Sequence, residues 1–286
     1  MTIVTVITNV VYRNLIKEAY VNGTEEECRG YKTKELIANM SEINMNFPLV
    51  TCLERKLGYR FAIAEAIHII TGSNRVDDLK PYSAIIDKFS DDKVHFFGAY
   101  GPKIVDQIEY IGRTFKKDVF SRQAVINIWR EKPAVSNDIP CTLSLQFLIR
   151  QDGFGTYRLN MIDTMRSSDI WLGVPYDWFS LSMVATYITL YLRKTIPELF
   201  KLQLGTFFMN AGSQHIYTDD KFYRLSNVEA LTQSIRNDFY YERIDLDEFV
   251  DETDLLNHLK SLLNGEYRKL SANFLKELEE FYVSKD

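Results

Sequence analysis

Two alternating runs, residues 142–150 and 157–165, flank the spacer Gln151-Asp152-Gly153-Phe154-Gly155. Apolar side chains at every second position mark strands with one face against a core, and the Asp- and Gly-bearing spacer is a hairpin signal. Just downstream, residues 178–194 read as a mostly apolar helix, beginning with fifteen uncharged residues, 178–192. A helix apolar on most sides must be buried, and this one is too short and too rich in Ser, Thr and Tyr to span a bilayer. The strands therefore belong to a sheet packed on that helix, which sets the fold class as α/β (α+β), a large mixed sheet flanked by helices.

The chain has 286 residues, 46% of them apolar and 13% aromatic, enough for one large core, and no low-complexity tract divides it. This predicts a single domain over 1–286, with a divergent helical appendage at about 226–286. Residues 3–7 are β-branched and predict a first strand rather than a signal peptide, followed by a helix over 10–21 that Asn22-Gly23 stops. Residues 23–33 predict a flexible polar loop carrying Arg29. Further helices are expected over 61–71, from Asp106 to Lys117, and over 225–238, 251–263 and 271–283; residues 77–93 suggest a short helix and loops. Strands are expected over 125–129 and 199–209. The net charge of −5 argues against a nucleic-acid polymer as partner. Cys28, Cys52 and Cys141 show no CxxC spacing, which suits a reducing, cytoplasmic setting and gives no metal signature.

Several polar residues stand where chemistry is expected. Cys141 follows Pro140 at the head of a strand; alone, such a cysteine reads as a small buried hydrophobe. Glu65 lies among Ala62, Ile63, Ala64, Ala66 and Ile67, where a carboxylate is costly without partners, and its near neighbours supply none except Arg60. Asp177 reads alone as a helix N-cap before Trp178, His215 as a strand-end histidine, and Arg29 as a solvated loop charge.

Taken together, Pro140-Cys141, Arg166-Ser167-Ser168-Asp169, Leu172-Gly173-Val174-Pro175-Tyr176-Asp177 and His215-Ile216-Tyr217 resemble, in order, the signature of the thymidylate synthase superfamily. The Met165-Arg166-Ser167 and Gly212-Ser213 contexts resemble its cytidylate and deoxycytidylate 5-hydroxymethylase branch. The resemblance implies that Cys141 adds as thiolate to ring carbon 6 of a pyrimidine nucleotide, with 5,10-methylenetetrahydrofolate as the one-carbon donor. It also implies that Glu65 and Tyr100 assist proton transfer and that Arg29, Arg122, Arg166 and Ser167 hold the phosphate end. His215 and Tyr217 would bind the sugar, and Asp169 and Gly173 the folate. Arg122 would reach the partner's phosphate site in a sheet-mediated homodimer, although Gln123 stands where the family usually has a second arginine, with Arg130 or Lys132 as compensating cations.

Asp177 stands where the family's asparagine reads uracil. A carboxylate suits the amino donor and protonated ring nitrogen of cytosine, so the expected substrate is dCMP or CMP. The chain ends in Lys285-Asp286 rather than in the family's apolar tail, and the family's tryptophan near Tyr82 is missing. Both are expected to let water capture the one-carbon unit, giving a hydroxymethyl product.

Overall fold

The predicted hairpin forms as β4 (Thr142–Gln151) and β5 (Tyr157–Asp169), paired antiparallel from Thr142↔Met165 to Gln151↔Tyr157. The molecule is seen here in a computed structural model that describes residues 3–130, 135–233, 241–266 and 272–277, and side chains from Thr8 onward. Around the hairpin stand β1 (Thr24–Cys28), β2 (Tyr31–Asn44), β3 (Val125–Asn127) and β6 (Gln203–Tyr217). Their order is β1-β2-β6-β5-β4-β3, and β5–β6 is the one parallel pair; the other neighbours are antiparallel.

The parallel pair needs a long crossover, which α4 (Val174–Thr195) supplies. Trp178, Phe179, Leu181, Val184 and Ile188 of this helix are buried, as its uncharged sequence requires. Thr186 and Thr189 are buried too, and their hydroxyls donate to the carbonyls four residues back, at 2.7 Å each. Helix α4 packs on β5 and β6 on one side and on α2 (Tyr59–Ile70) and α6 (Glu252–Leu263) on the other; α3 (Gly101–Lys117) leans against α2 and β3.

Several expectations need correction. The first element is not a strand: α1 (Ile3–Asn22) is helical from Ile3, because Tyr12, Leu15, Ile16 and Ala19 bury one stripe and the helix runs on upstream of it. Packing overrides the β-branched preference of residues 3–7. Nor is 23–33 a loop. It is a β-hairpin whose two-residue turn, Arg29 (φ 54°) and Gly30 (φ 79°), has the left-handed geometry that matches strand twist. Residues 76–89 form short 3-10 turns, and residues 197–199 make another before β6 begins at Gln203 and continues to Tyr217.

The later helices are α5 (Leu225–Gln233), against α1, and α6. Rather than presenting an exposed bundle face, α6 buries Leu255, Leu259 and Leu262 in the main core. Residues 234–238 of the expected fifth helix, and most of 271–283, lie outside the described residues, as do Lys132 and the chain end.

Candidate active site

The site gathers where the C-terminal end of β5 meets the start of β4. Between Thr142 and Ser144 the register slips, a bulge that bends the strand just after Cys141. Cys141 is half-buried. The Arg166 amide donates to the Cys141 carbonyl at 2.8 Å, and its guanidinium reaches over the same segment. Nε donates to the Pro140 carbonyl at 3.0 Å and Nη2 to the Ile139 carbonyl at 2.9 Å, and Nη2 stands 3.8 Å from the thiol sulfur. Burial pushes the Cys141 thiol up; Arg166 and, more weakly, Arg29 pull it down, whereas Asp177 and Asp163 add to the rise. The expectation that Arg166 leaves the thiol readily ionised is thus only half met, because desolvation outweighs the cation.

Tyr100, just ahead of α3, accepts a 3.1 Å hydrogen bond from the Thr142 amide and so faces the thiol strand. Burial, then the proximity of Cys141 and Asp177, raises its phenol well above the usual tyrosine value. Glu65 finds its partner far away in sequence: the Ser180 hydroxyl on α4 donates to Oε2 at 2.7 Å. Burial lifts Glu65 to about 7, against the pull of that hydrogen bond.

Asp177 is not an N-cap, because α4 starts at Val174 and Gly173 holds the cap position. The carboxyl lies in the first turn, accepts no hydrogen bond from the described residues, and is raised well above the carboxylate range by burial and by Glu65, Asp163 and Asp169. Gly173 lets these acids approach, since a Cβ there would meet the Asp169 carbonyl at 3.0 Å and Asp177 Oδ2 at 3.2 Å. Asp169 Oδ1 accepts from the amides of Trp171 and Leu172 at 2.8 Å each, while Oδ2 is buried without a partner. Burial lifts Asp169 to about 6.

His215 and Tyr217 project from β6 with rings 5.3 Å apart, edge to face. Burial lowers His215, opposed by Glu35 and reinforced by Arg29, so its imidazole favours the neutral form. The charge of Arg29 also acts on Tyr217, which places the hairpin turn on this side of the sheet. Ser167 pairs with Ser213 at the same level. Arg122 is not among them: it lines a separate cleft with Tyr110, Arg113, Lys117 and Gln123.

Sequence reasoning passed over Asp163, Thr142 and Ser180, and an aromatic wall beside Asp169. There Arg55 donates to the Trp171 carbonyl at 2.8 Å and lies over the rings of Trp171 and Tyr176, and Tyr223 stacks on Trp171 at 5.5 Å. Asp163 had a visible signal, a charge breaking the apolar register of Leu159, Met161 and Met165. Among the described residues no three His, Cys, Asp or Glu side chains converge as a metal site, and no helix is long and apolar enough to cross a membrane.

The family model described as thymidylate synthase matches residues 10–247. The chain belongs to the thymidylate synthase family. Thymidylate synthases of three Coxiella burnetii strains, Dugway 5J108-111, RSA 331 / Henzerling II and RSA 493 / Nine Mile phase I, are each 27% identical to it over 221 residues, covering 72% of this chain and 78% of theirs. The six-stranded sheet with its covering helices is thus a thymidylate synthase-type fold, and the chemistry of the family is folate-dependent one-carbon transfer to a nucleotide.

Proposed function

We propose that this protein is a 5-hydroxymethyltransferase acting on a cytosine mononucleotide, dCMP or CMP, with 5,10-methylenetetrahydrofolate. The observation that carries the reading is Asp177: a buried carboxyl beside the thiol site, with no hydrogen bond from the described residues and every cause acting on it favouring the protonated form. Cytosine offers a 4-amino donor and the acceptor N3. A carboxyl that keeps its proton donates to N3 and accepts from the amino group, which is the same pair of bonds as a carboxylate with protonated N3, without separating charge in a dry site. Uracil is met only with the proton on the opposite oxygen, facing O4. Discrimination therefore rests on which carboxyl oxygen carries the proton.

Cys141 is the nucleophile: its sulfur bonds to ring carbon 6, which makes carbon 5 the attacking atom for the one-carbon unit. Glu65, held near neutrality, and the Tyr100 phenol handle the proton at carbon 5. Arg166 and Arg29 receive the phosphate, with Ser167 beside them, and His215 and Tyr217 the sugar. The folate, which supplies the one-carbon unit, suits the wall next to Asp169. There the orphaned Oδ2 is an acceptor for a donor-bearing ring, and Trp171, Tyr176 and Tyr223 are flat surfaces for it.

Arg122 serves a second copy of the chain. The sheet face away from the helices carries the cross-strand row Gln146, Ile162, Phe208 and Glu42 with exposed Met40 nearby, and that face pairs in a homodimer. The enzyme works in the cytoplasm.

The printed name of the Coxiella burnetii relatives favours a second outcome, methylation. Incubating the enzyme with CMP, dCMP, UMP and dUMP plus the folate, and weighing each product, separates them. A cytosine nucleotide gaining one formaldehyde unit supports the proposal; a methylated product, or one from uracil nucleotides alone, contradicts it.

A further inference from the structure

Asp163 occupies the buried register of β5 between Met161 and Met165. It is fully buried, and neither of its carboxyl oxygens has a hydrogen-bond partner. Its cross-strand neighbours, Leu145 on β4 and Met209 on β6, do not titrate. On β4, the Thr142 hydroxyl is likewise fully buried and unpartnered, yet it stands close enough to Asp163 to favour the ionised carboxyl. Two orphaned polar groups thus adjoin each other, one of them on the residue that follows the thiol. The remaining charged or titratable groups around them are Cys141 on the β4 side, Arg166 on β5, Tyr100 ahead of α3, Glu65 on α2, Asp169 and Asp177 at the start of α4, and Arg29 in the β1–β2 turn. The charge of Asp163 acts on both Cys141 and Asp177.

We propose that Asp163 is the proton acceptor for the Cys141 thiol, with the Thr142 hydroxyl as relay, so that thiol and carboxyl share one proton and one negative charge. The inference rests on Cys141 being the nucleophile. The S–H proton passes to the Thr142 oxygen as the hydroxyl proton passes to Asp163. The sulfur keeps the electron pair, which forms the bond to ring carbon 6, and the displaced ring pair moves to carbon 5. When the product leaves, the sulfur–carbon bond breaks, the sulfur regains its pair and the proton returns along the same path. A thiol raised by burial loses a proton poorly to water, whereas an acid held at about 8 is matched to receive it.

The test is the rate of Cys141 alkylation by iodoacetamide in the ligand-free, full-length protein from about pH 6 to about pH 10, read from the mass of the Cys141 peptide. Exposed Cys28 is the internal control. The wild type is expected to rise in two steps, the first near 8, where the pair loses its shared proton. Asp163→Asn should leave a single step at higher pH, with alkylation slower by about tenfold on the first plateau, and Thr142→Val should do the same. A single step in the wild type overturns the proposal whether or not Asp163→Asn folds. So does a two-step profile that either variant leaves unchanged. No nucleotide or folate enters the experiment, so the result is independent of which base the enzyme prefers.

Discussion

Arg166 Nη2 lies 3.8 Å from the Cys141 sulfur while the same guanidinium donates to the carbonyls of Pro140 and Ile139. The fork fixes the cation against the segment that leads into the thiol, so charge and position come from one side chain. Arg166→Ala should slow Cys141 alkylation at neutral pH by about tenfold, because the only strong pull toward thiolate is gone. Arg166→Lys should recover part of that rate and little of the nucleotide affinity, since an ammonium does not reproduce the fork. Parallel alkylation and binding titrations check both.

Asp177→Asn exchanges the carboxyl for an amide whose NH2 can donate to O4 of uracil. The ratio of kcat/KM for cytosine over uracil nucleotides should fall by about a hundredfold or more, the scale set by a buried polar group losing its match. An unchanged ratio would show that the base edge is read elsewhere.

Glu65 links two helices through Ser180 and is lifted to about 7. If its carboxylate assists removal of the carbon 5 proton, turnover should fall as pH drops below about 7, as the group takes up its proton. Glu65→Gln should abolish that limb and cost about a hundredfold or more in kcat. Ser180→Ala removes the hydrogen bond that favours the charged form, so it should move the limb to higher pH. Steady-state pH profiles of the three proteins decide the matter.

Asp163 also predicts a stability effect. Its folded value of about 8 stands above the ordinary 3.8, so the folded chain holds a proton that the unfolded chain releases between those values. Stability from this group is greatest below the unfolded value and declines as pH rises through the window, by on the order of 1.4 kcal/mol per pH unit. Asp163→Asn should therefore stabilise the protein at pH 9 relative to wild type, with the advantage shrinking toward acid. Urea midpoints measured across the range test the sign.

Much of the architecture was legible because period and burial agree. The alternation around Asp152-Gly153 gave β4 and β5, and the uncharged run after Asp177 gave α4. The N-terminus misled because Ile3, Val4, Thr5, Val6 and Ile7 have strand preferences that the buried stripe of Tyr12, Leu15, Ile16 and Ala19 overrides. The Arg29 turn was missed because paired strands rich in exposed Glu look like a polar loop. In the site, motif order found Cys141, Arg166 and Asp177, but the Glu65–Ser180 bond spans 115 residues and has no local signature. The degree to which burial opposes thiol ionisation depends on packing and could not be read from spacing.

The most direct test uses nucleotides carrying tritium at ring carbon 5, mixed with enzyme and methylenetetrahydrofolate. Wild-type protein should release tritium to water from dCMP or CMP far faster than from dUMP or UMP, and Cys141→Ala should release none. Release that survives loss of the thiol, or that comes from uracil nucleotides alone, would contradict the account.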